Sequence, residues 1–151
     1  MRKNIKKFDL KRKFGNTIMI SGKKKTGEKI LLKVAKRLQK STGKNLRNLI
    51  QLSIINTTST FKLNEQVVKK GKRKAVRFNP SFISTDPLRI ATSLKSIKKV
   101  SSKNQKAAYS YEKLTNEILA SFILKSQAVD QKNEVQTRIL TNKRYLSKFR
   151  W

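Results

Sequence analysis

The chain has 151 residues, with 38 Lys and Arg against 8 Asp and Glu, and therefore a net charge of +30. Folding that charge into one domain costs a large self-repulsion unless a polyanion supplies counter-charge. The absence of Cys and His excludes disulfides, zinc fingers, thiolate nucleophiles and the commonest general base. The carboxylates are scattered, whereas a metal-dependent nuclease or polymerase needs them in a cluster. The sequence therefore predicts a polyanion-binding protein that is not an enzyme and uses neither metal nor cofactor.

The hydropathy pattern argues against a membrane protein. No run of about 18 apolar residues occurs, so we expect no membrane span. The start of the chain lacks the apolar stretch of a secretory signal. The apolar faces also lack the features of a helix that lies on a membrane surface. Lys, Ile and Asn are abundant and have AT-rich codons, which points to an AT-rich genome such as that of an organelle.

Residues 1–15 form a basic segment, in which 7 of the 12 residues from Arg2 to Lys13 are basic. Such a run is either a solvated arm or an arm that lies along phosphates, and the total charge favours the second interpretation. A short apolar segment and a turn follow it. We therefore predict a basic N-terminal arm over residues 1–15 and a folded helical domain over residues 16–151.

Two helices are predicted next. Thr26 is a good N-cap, apolar residues then recur at helical spacing, and Thr42-Gly43 supplies a stop. Asn45 can cap a second helix, which the polar run 56–59 ends. Both predicted helices have one apolar face, which indicates that they pack against a common core.

A β-hairpin with a basic tip is predicted after these helices. Apolar residues alternate with polar ones over Phe61–Leu63 and again over Val76–Phe78. The basic run Lys69–Lys74 contains a glycine and separates the two segments, so we place the hairpin at about 60–78. Like charges opposite each other in a ladder destabilise it. The alternatives are a merely soluble loop and a hairpin that grips RNA, and we favour the second.

Three further helices are expected after the hairpin. Asp86-Pro87 combines an N-cap acid with Pro at the first helical position. A linker is expected at 101–104, then a helix from near Lys106 and a last helix from near Asp130, which can act as its N-cap. The fold class is therefore mainly α: a single helical domain of five or six helices with one basic β-hairpin inserted after the third.

The residue types limit the chemistry further. Lys outnumbers Arg 28 to 10, and lysines suit phosphate neutralisation better than base reading. Phe61 and Phe78 could stack on bases, but packing of the hairpin against the helices is the simpler interpretation. Trp151 fits docking on RNA and docking on its own domain equally well. Gly22-Lys23-Lys24 lacks the spacing of a phosphate-binding loop, so nucleotide hydrolysis is unsupported.

Three segments resemble a known family. Asn16–Ile30 resembles N-x-x-M-x-x-G-K-K-x-x-A-E-x-I, Ala128–Lys143 resembles a last helix ending in E-A-N-K, and Lys148–Trp151 resembles an aromatic-Arg-Trp terminus. These are features of the small-subunit ribosomal protein seven family, and the order of helices and hairpin agrees with it. Gly27 stands where the family has Ala, and Gln136 replaces a His. This drift resembles that of mitochondrial members.

The resemblance implies that the chain binds the 3′ major domain of small-subunit rRNA, organises the head of the subunit and contacts neighbouring small-subunit proteins. It also implies that the hairpin lies near exit-site tRNA and the mRNA exit channel. The implied location is a mitochondrial ribosome or, alternatively, a bacterial or plastid one. The competing interpretation is a non-specific nucleic-acid packaging protein or chaperone, but the capped amphipathic helices argue against it. The residues expected to contact RNA are Arg2, Lys3, Lys6, Lys7, Lys11, Arg12, Lys13, Lys23, Lys24, Lys25, Lys69, Lys70, Lys72, Arg73, Lys74, Arg77, Lys143, Arg144, Arg150 and Trp151.

Overall fold

The computed structural model describes residues 10–43, 45–70, 73–104 and 107–141, with the backbone alone at Val68, Lys70, Arg73, Ala75 and Arg77. The elements in chain order are α1 (Leu10–Ile18), α2 (Lys24–Thr42), α3 (Leu46–Thr57), β1 (Phe61–Lys70), β2 (Arg73–Phe82), α4 (Asp86–Lys103), α5 (Ser110–Phe122) and α6 (Gln127–Thr141). This order confirms a mainly α fold with one hairpin inserted after the third helix. In the described part of the chain, no helix has the length and apolar character needed to cross a membrane.

Helix α5 is the centre of the bundle, because α2, α3 and α4 all pack against it. Its Leu114 and Ile118, one turn apart, are 4% and 1% exposed. Leu38 of α2, Leu49 of α3 and Ile97 of α4 are buried in the same apolar cluster. Burial of each such side chain contributes about 1.5–3 kcal/mol. This cluster therefore holds the helices together.

Helix α1 extends the fold into the segment that was predicted to be an arm. Leu10, Phe14 and Ile18 recur every fourth residue, and Phe14 and Ile18 are buried in the apolar cluster. The residues between them are mostly basic or polar, so the segment was interpreted as a charged arm and the helical spacing of its three apolar residues was missed. Leu10 to Gly15 are therefore helical, and residues 1–9 lie outside the described ranges.

The ends of α2 and α3 confirm two predictions and correct a third. Gly43 adopts a φ of 63° and its N–H closes the last turn of α2, as its role as a stop requires. The Asn45 side chain accepts a hydrogen bond of 3.1 Å from an N–H of the first turn of α3, which confirms it as the N-cap. However, α2 begins at Lys24 instead of after Thr26, because the preceding turn ends at Gly22, where φ is 74°.

Helix α4 begins one residue earlier and ends later than predicted, and helix α5 begins later than predicted. Asp86 is the first residue of α4 and Thr85 is its N-cap, so the acid acts within the first turn. The predicted linker at 101–104 is wrong over Ser101–Lys103, which form the last turn of α4, because Ser101 is buried against the bundle. Helix α5 begins at Ser110 instead of near residue 106.

Helix α6 begins earlier than predicted, and Ser126 caps it in place of Asp130. Ser126 Oγ accepts a hydrogen bond of 2.9 Å from the N–H of Ala128, while Asp130 lies in the first turn. The same hydroxyl donates to the buried carboxylate of Glu117 on α5. Burial raises the pKa of Glu117, and the hydrogen bonds from Ser126 and the Ala128 backbone partly oppose this effect. These contacts tie α5 to the start of α6.

The hairpin is longer than predicted and is anchored at its base. Its antiparallel ladder runs from Phe61 opposite Phe82 to Lys70 opposite Arg73, so β2 ends at Phe82 instead of near residue 78. The rings of Phe61 and Phe82 meet edge to face, with 5.7 Å between their centroids. Helix α6 packs against β1 and joins the hairpin to the bundle.

Candidate nucleic-acid interface

Basic residues on this protein far exceed the acids that could neutralise them. Pairing all 8 acids one to one would still leave 30 of the 38 basic residues. Glu28, Asp86 and Glu112 each form an ion pair with one Lys or Arg. Such surface pairs contribute only about 0–1 kcal/mol each. The excess charge therefore favours a polyanionic ligand.

The tip of the hairpin places like charges opposite each other. The register sets Lys69 opposite Lys74 and Lys70 opposite Arg73. The side chains of Lys69 and Lys74 are exposed. Like charges at opposite positions destabilise a ladder, and a phosphate group bound between them would relieve the repulsion. The tip is therefore basic, as predicted, and suited to an anionic ligand.

The outer half of the hairpin has an uncovered apolar face. Val67 lies opposite Val76, and these side chains are 60% and 52% exposed. Phe78 lies on the same face of the ladder and is 37% exposed, so it is less covered than a residue that packs the hairpin against the helices would be. On the opposite face, Asn79 Nδ2 donates a 2.8 Å hydrogen bond to Gln66 Oε1. The hairpin is therefore amphipathic beyond its anchored base.

A second basic site is the turn before α2. Ser21 and Gly22 adopt φ values of 50° and 74° and reverse the chain. Lys23, Lys24 and Lys25 follow the reversal, and all are exposed. The N-terminus of a helix carries a partial positive charge, to which these lysines add. The turn therefore presents a concentrated positive charge to solvent.

A third basic site, the α1–α4 groove, was not predicted from the sequence. This shallow groove is lined by Asn16, Thr17, Lys95, Lys98, Lys99, Ser102 and Lys103. The four lysines follow the helical spacing i, i+3, i+4 and i+8, which places them on one face of α4. That spacing was a usable signal, but the groove itself exists only because α1 packs against α4.

Lys98 differs from the other lysines of the α1–α4 groove. Its Nζ donates a hydrogen bond of 2.6 Å to the carbonyl of Thr17 and a longer one of 3.5 Å to that of Ile18. It therefore donates to carbonyls at the C-terminal end of α1, and its positive charge interacts favourably with the negative end of that helix dipole. Lys95, Lys99 and Lys103 are exposed, so their charges are accessible from solvent.

The predicted RNA-contact residues fall into three groups. Exposed side chains belong to Lys11, Arg12, Lys13, Lys23, Lys24, Lys25, Lys69 and Lys74. The backbone alone is described for Lys70, Arg73 and Arg77. Arg2, Lys3, Lys6, Lys7, Lys72, Lys143, Arg144, Arg150 and Trp151 lie outside the described ranges. The structure thus sets Lys69 opposite Lys74 at the tip and places the α1 and α2 groups near two helices that pack against each other.

These features define a class of protein. Within the described ranges, no three His, Cys, Asp or Glu side chains come together as a metal site. The surface instead offers a basic hairpin tip, a basic turn and the α1–α4 groove, all suited to phosphate. A neutral helical core that carries such a surface is the architecture of a nucleic-acid-binding protein.

The family model described as ribosomal protein S7p/S5e matches residues 2–143. The chain therefore belongs to this family, as the sequence resemblance predicted. A comparison with individual curated proteins gives no match. Membership gives the chain a structural role in the small ribosomal subunit, where it binds the rRNA and neighbouring ribosomal proteins.

Proposed function

We propose that this chain binds the 3′ major domain of small-subunit rRNA and organises the head of the subunit during assembly. The observation that carries the proposal is the concentration of exposed cations on separate elements of one fold. The hairpin tip, the turn before α2 and the α1–α4 groove each offer charge to phosphate. A protein with several such sites can hold several RNA helices at once.

The proposed mechanism is charge neutralisation. Phosphate-rich RNA helices repel one another, and lysines bound to their backbones release counterions and lower that repulsion. The rRNA in turn neutralises the protein, for example where Lys69 lies opposite Lys74. Because the ligand binds the folded state, the same contacts stabilise the fold of the protein.

A more specific part of the proposal concerns what the hairpin contacts in the ribosome. It extends from the bundle with a basic tip and an uncovered apolar face near Val67 and Val76. Such an arm suits contact with a neighbouring protein or RNA element at some distance from the core. We place it near exit-site tRNA and the mRNA exit channel.

The proposed location is a mitochondrial ribosome, with a bacterial or plastid ribosome as the alternative. The support is the abundance of Lys, Ile and Asn in the sequence and its drift from the family motifs, such as Gly27 in place of Ala. Fractionation of the source cells, with the chain followed by antibody through organelle and cytosolic ribosomes, tests this assignment directly.

A competition experiment tests the proposed RNA target. A labelled fragment of the rRNA 3′ major domain competes with a shuffled RNA of equal length at about 0.3 M salt, where non-specific binding is weak. Site-specific binding predicts a preference of about a hundredfold or more for the fragment. Equal loss of both RNAs would reject the proposal and favour a non-specific packaging protein.

A further inference from the structure

Two of the 3 tyrosines in the chain form a stack at the start of α5. The rings of Tyr109 and Tyr111 have centroids 5.6 Å apart and are inclined by only 18°. Tyr111 is partly buried and packs against the apolar cluster, whereas Tyr109 is 62% exposed. Packing of the core therefore accounts for Tyr111 but leaves most of the Tyr109 ring in water.

The backbone holds Tyr109 in place. It is the N-cap of α5, and its carbonyl accepts hydrogen bonds of 3.1 Å from the N–H groups of both Glu112 and Lys113. These hydrogen bonds fix the backbone of Tyr109, and the stack on Tyr111 orients its ring. A flat surface held in this way loses little conformational freedom when a second flat group binds it.

Two cations of α2 lie beside the Tyr111 ring of this stack. Lys33 Nζ lies 5.3 Å from the centroid of the Tyr111 ring, and the guanidinium carbon of Arg37 lies 6.0 Å from it. Arg37 also donates to the carboxylate of Glu112, which orients its planar group beside the ring. Lys36 and Lys40 are exposed on the same stripe of α2 at helical spacing. The stack therefore lies beside a row of positive charge.

We propose that Tyr109 is a platform for an unstacked base of single-stranded RNA, and that the cations of α2 bind the phosphates on either side of that base. An exposed aromatic ring flanked by basic residues is the arrangement that binds single-stranded nucleic acid. The inference rests on the proposed rRNA function and deepens it. It adds a base-stacking contact away from the hairpin, the turn before α2 and the α1–α4 groove, which bind phosphate.

Two oligonucleotide probes separate stacking from charge. The full-length chain is titrated with a 12-nucleotide oligoadenylate and with an abasic oligomer that has the same number of phosphates. Stacking predicts that the wild-type chain binds the oligoadenylate at least about fivefold more tightly than the abasic oligomer. Tyr109→Ala should remove most of this preference and leave binding of the abasic oligomer unchanged.

Three matched variants make the test specific. Tyr109→Phe retains the ring and should retain the preference. Phe78→Ala removes another exposed ring, on the hairpin, and should also leave the preference unchanged. Lys36→Ala should weaken binding of both probes equally. Retention of the preference by Tyr109→Ala, or its loss in Tyr109→Phe, would overturn the proposal; circular dichroism confirms that each variant is folded.

A crosslinking experiment identifies what lies beside the stack in the subunit. Because the chain has no Cys, Ala108→Cys supplies a unique thiol for a benzophenone crosslinker. In reconstituted small subunits we expect a crosslink to a single-stranded rRNA nucleotide, and a crosslink to a protein alone would refute the platform. If the 3′ major-domain competition succeeds while Tyr109→Ala has no effect, the platform is wrong and the rRNA assignment stands. If the competition fails, the rRNA assignment is wrong whatever the tyrosine variants show.

Discussion

The helical bundle and the hairpin of this chain differ in how far they bury apolar side chains and in how they place charge. The bundle buries Leu38, Leu114 and Ile118 almost completely around α5. The hairpin is anchored at its base, exposes Val67 and Val76, and sets like charges opposite each other at its tip. A two-stranded hairpin is marginally stable by itself in water. The bundle therefore provides most of the stability of the fold, and the hairpin offers exposed charge and exposed apolar surface to solvent.

The largest expected effect tests the bundle. Leu38→Ala removes a side chain that is 0% exposed, and we expect it to lower the free energy of unfolding by about 2–5 kcal/mol. Val67→Ala, on the exposed face of the hairpin, should change it by about 0.5 kcal/mol or less. Urea unfolding followed by circular dichroism measures both. Equal effects of the two substitutions would contradict the division of roles between bundle and hairpin.

The second prediction tests the hairpin. The double variant Lys69→Ala/Lys74→Ala removes an opposed pair of charges. We expect rRNA affinity to fall on the order of tenfold to a hundredfold, and the slope of log affinity against log salt to become shallower by about 2. Stability of the free protein should stay the same or rise, because repulsion across the ladder is removed. Filter binding at several salt concentrations and urea unfolding provide the measurements.

The control for the hairpin variant is Lys29→Ala, which removes one exposed charge from α2. It should affect binding less than either tip lysine. A loss of stability in the tip variant, accompanied by unchanged RNA binding, would show that the tip lysines serve the fold instead of the ligand.

The third prediction separates two lysines of the α1–α4 groove. Lys98→Ala leaves the Thr17 carbonyl without its 2.6 Å hydrogen bond and should cost about 1–3 kcal/mol of stability. Lys99→Ala, its exposed neighbour, should leave stability unchanged and weaken RNA binding alone. Thermal unfolding and RNA titration of both variants compare the two roles. Identical profiles for the two variants would refute the distinction.

The smallest expected effect concerns the carboxyl that joins α5 to α6. Because burial raises the pKa of Glu117 above its ordinary value of 4.5, the folded state holds the proton more tightly than the unfolded state. The stability contributed by this group is therefore full below pH 4.5 and is lost as pH rises through the raised pKa. As pH rises through the raised pKa, the wild type loses this contribution and Glu117→Gln does not. The free energy of unfolding of Glu117→Gln should therefore increase relative to that of the wild type.

Urea unfolding of both proteins at a series of pH values measures the difference for Glu117. Glu134→Gln, at an exposed position on α6, controls for the removal of one negative charge. A constant difference between Glu117→Gln and wild type across the range would show that burial of Glu117 does not affect its titration.

Much of the architecture follows from short-range patterns. The stop at Gly43 and the cap at Asn45 depend on residues within one turn, and both are confirmed. The alternation around Phe61 predicted the hairpin and its basic tip. The ends of the elements were predicted less accurately. Helix α6 has Ser126 as its N-cap instead of Asp130. Ser126 also donates a hydrogen bond to the buried Glu117, and no local sequence pattern predicts that contact.

Among the candidate sites, the hairpin tip and the turn before α2 are continuous in sequence, so charge runs reveal them. The α1–α4 groove and the contact of α2 with the tyrosine stack join segments that are far apart in the sequence. Lys98 meets the Thr17 carbonyl across 81 residues of chain, and Arg37 meets Glu112 across 75. Neither of these contacts can be predicted from a local sequence pattern.

Composition and local periodicity were thus sufficient to establish a +30 polyanion binder with a helical core and a basic hairpin. These properties depend on residue type and on neighbours within a few positions. The folding of α1 into the core, the α1–α4 groove and the approach of the α2 cations to the ring of Tyr111 arise only when distant segments pack together. Burial of apolar surface drives that packing, and the packing brings together polar groups that are far apart in the sequence.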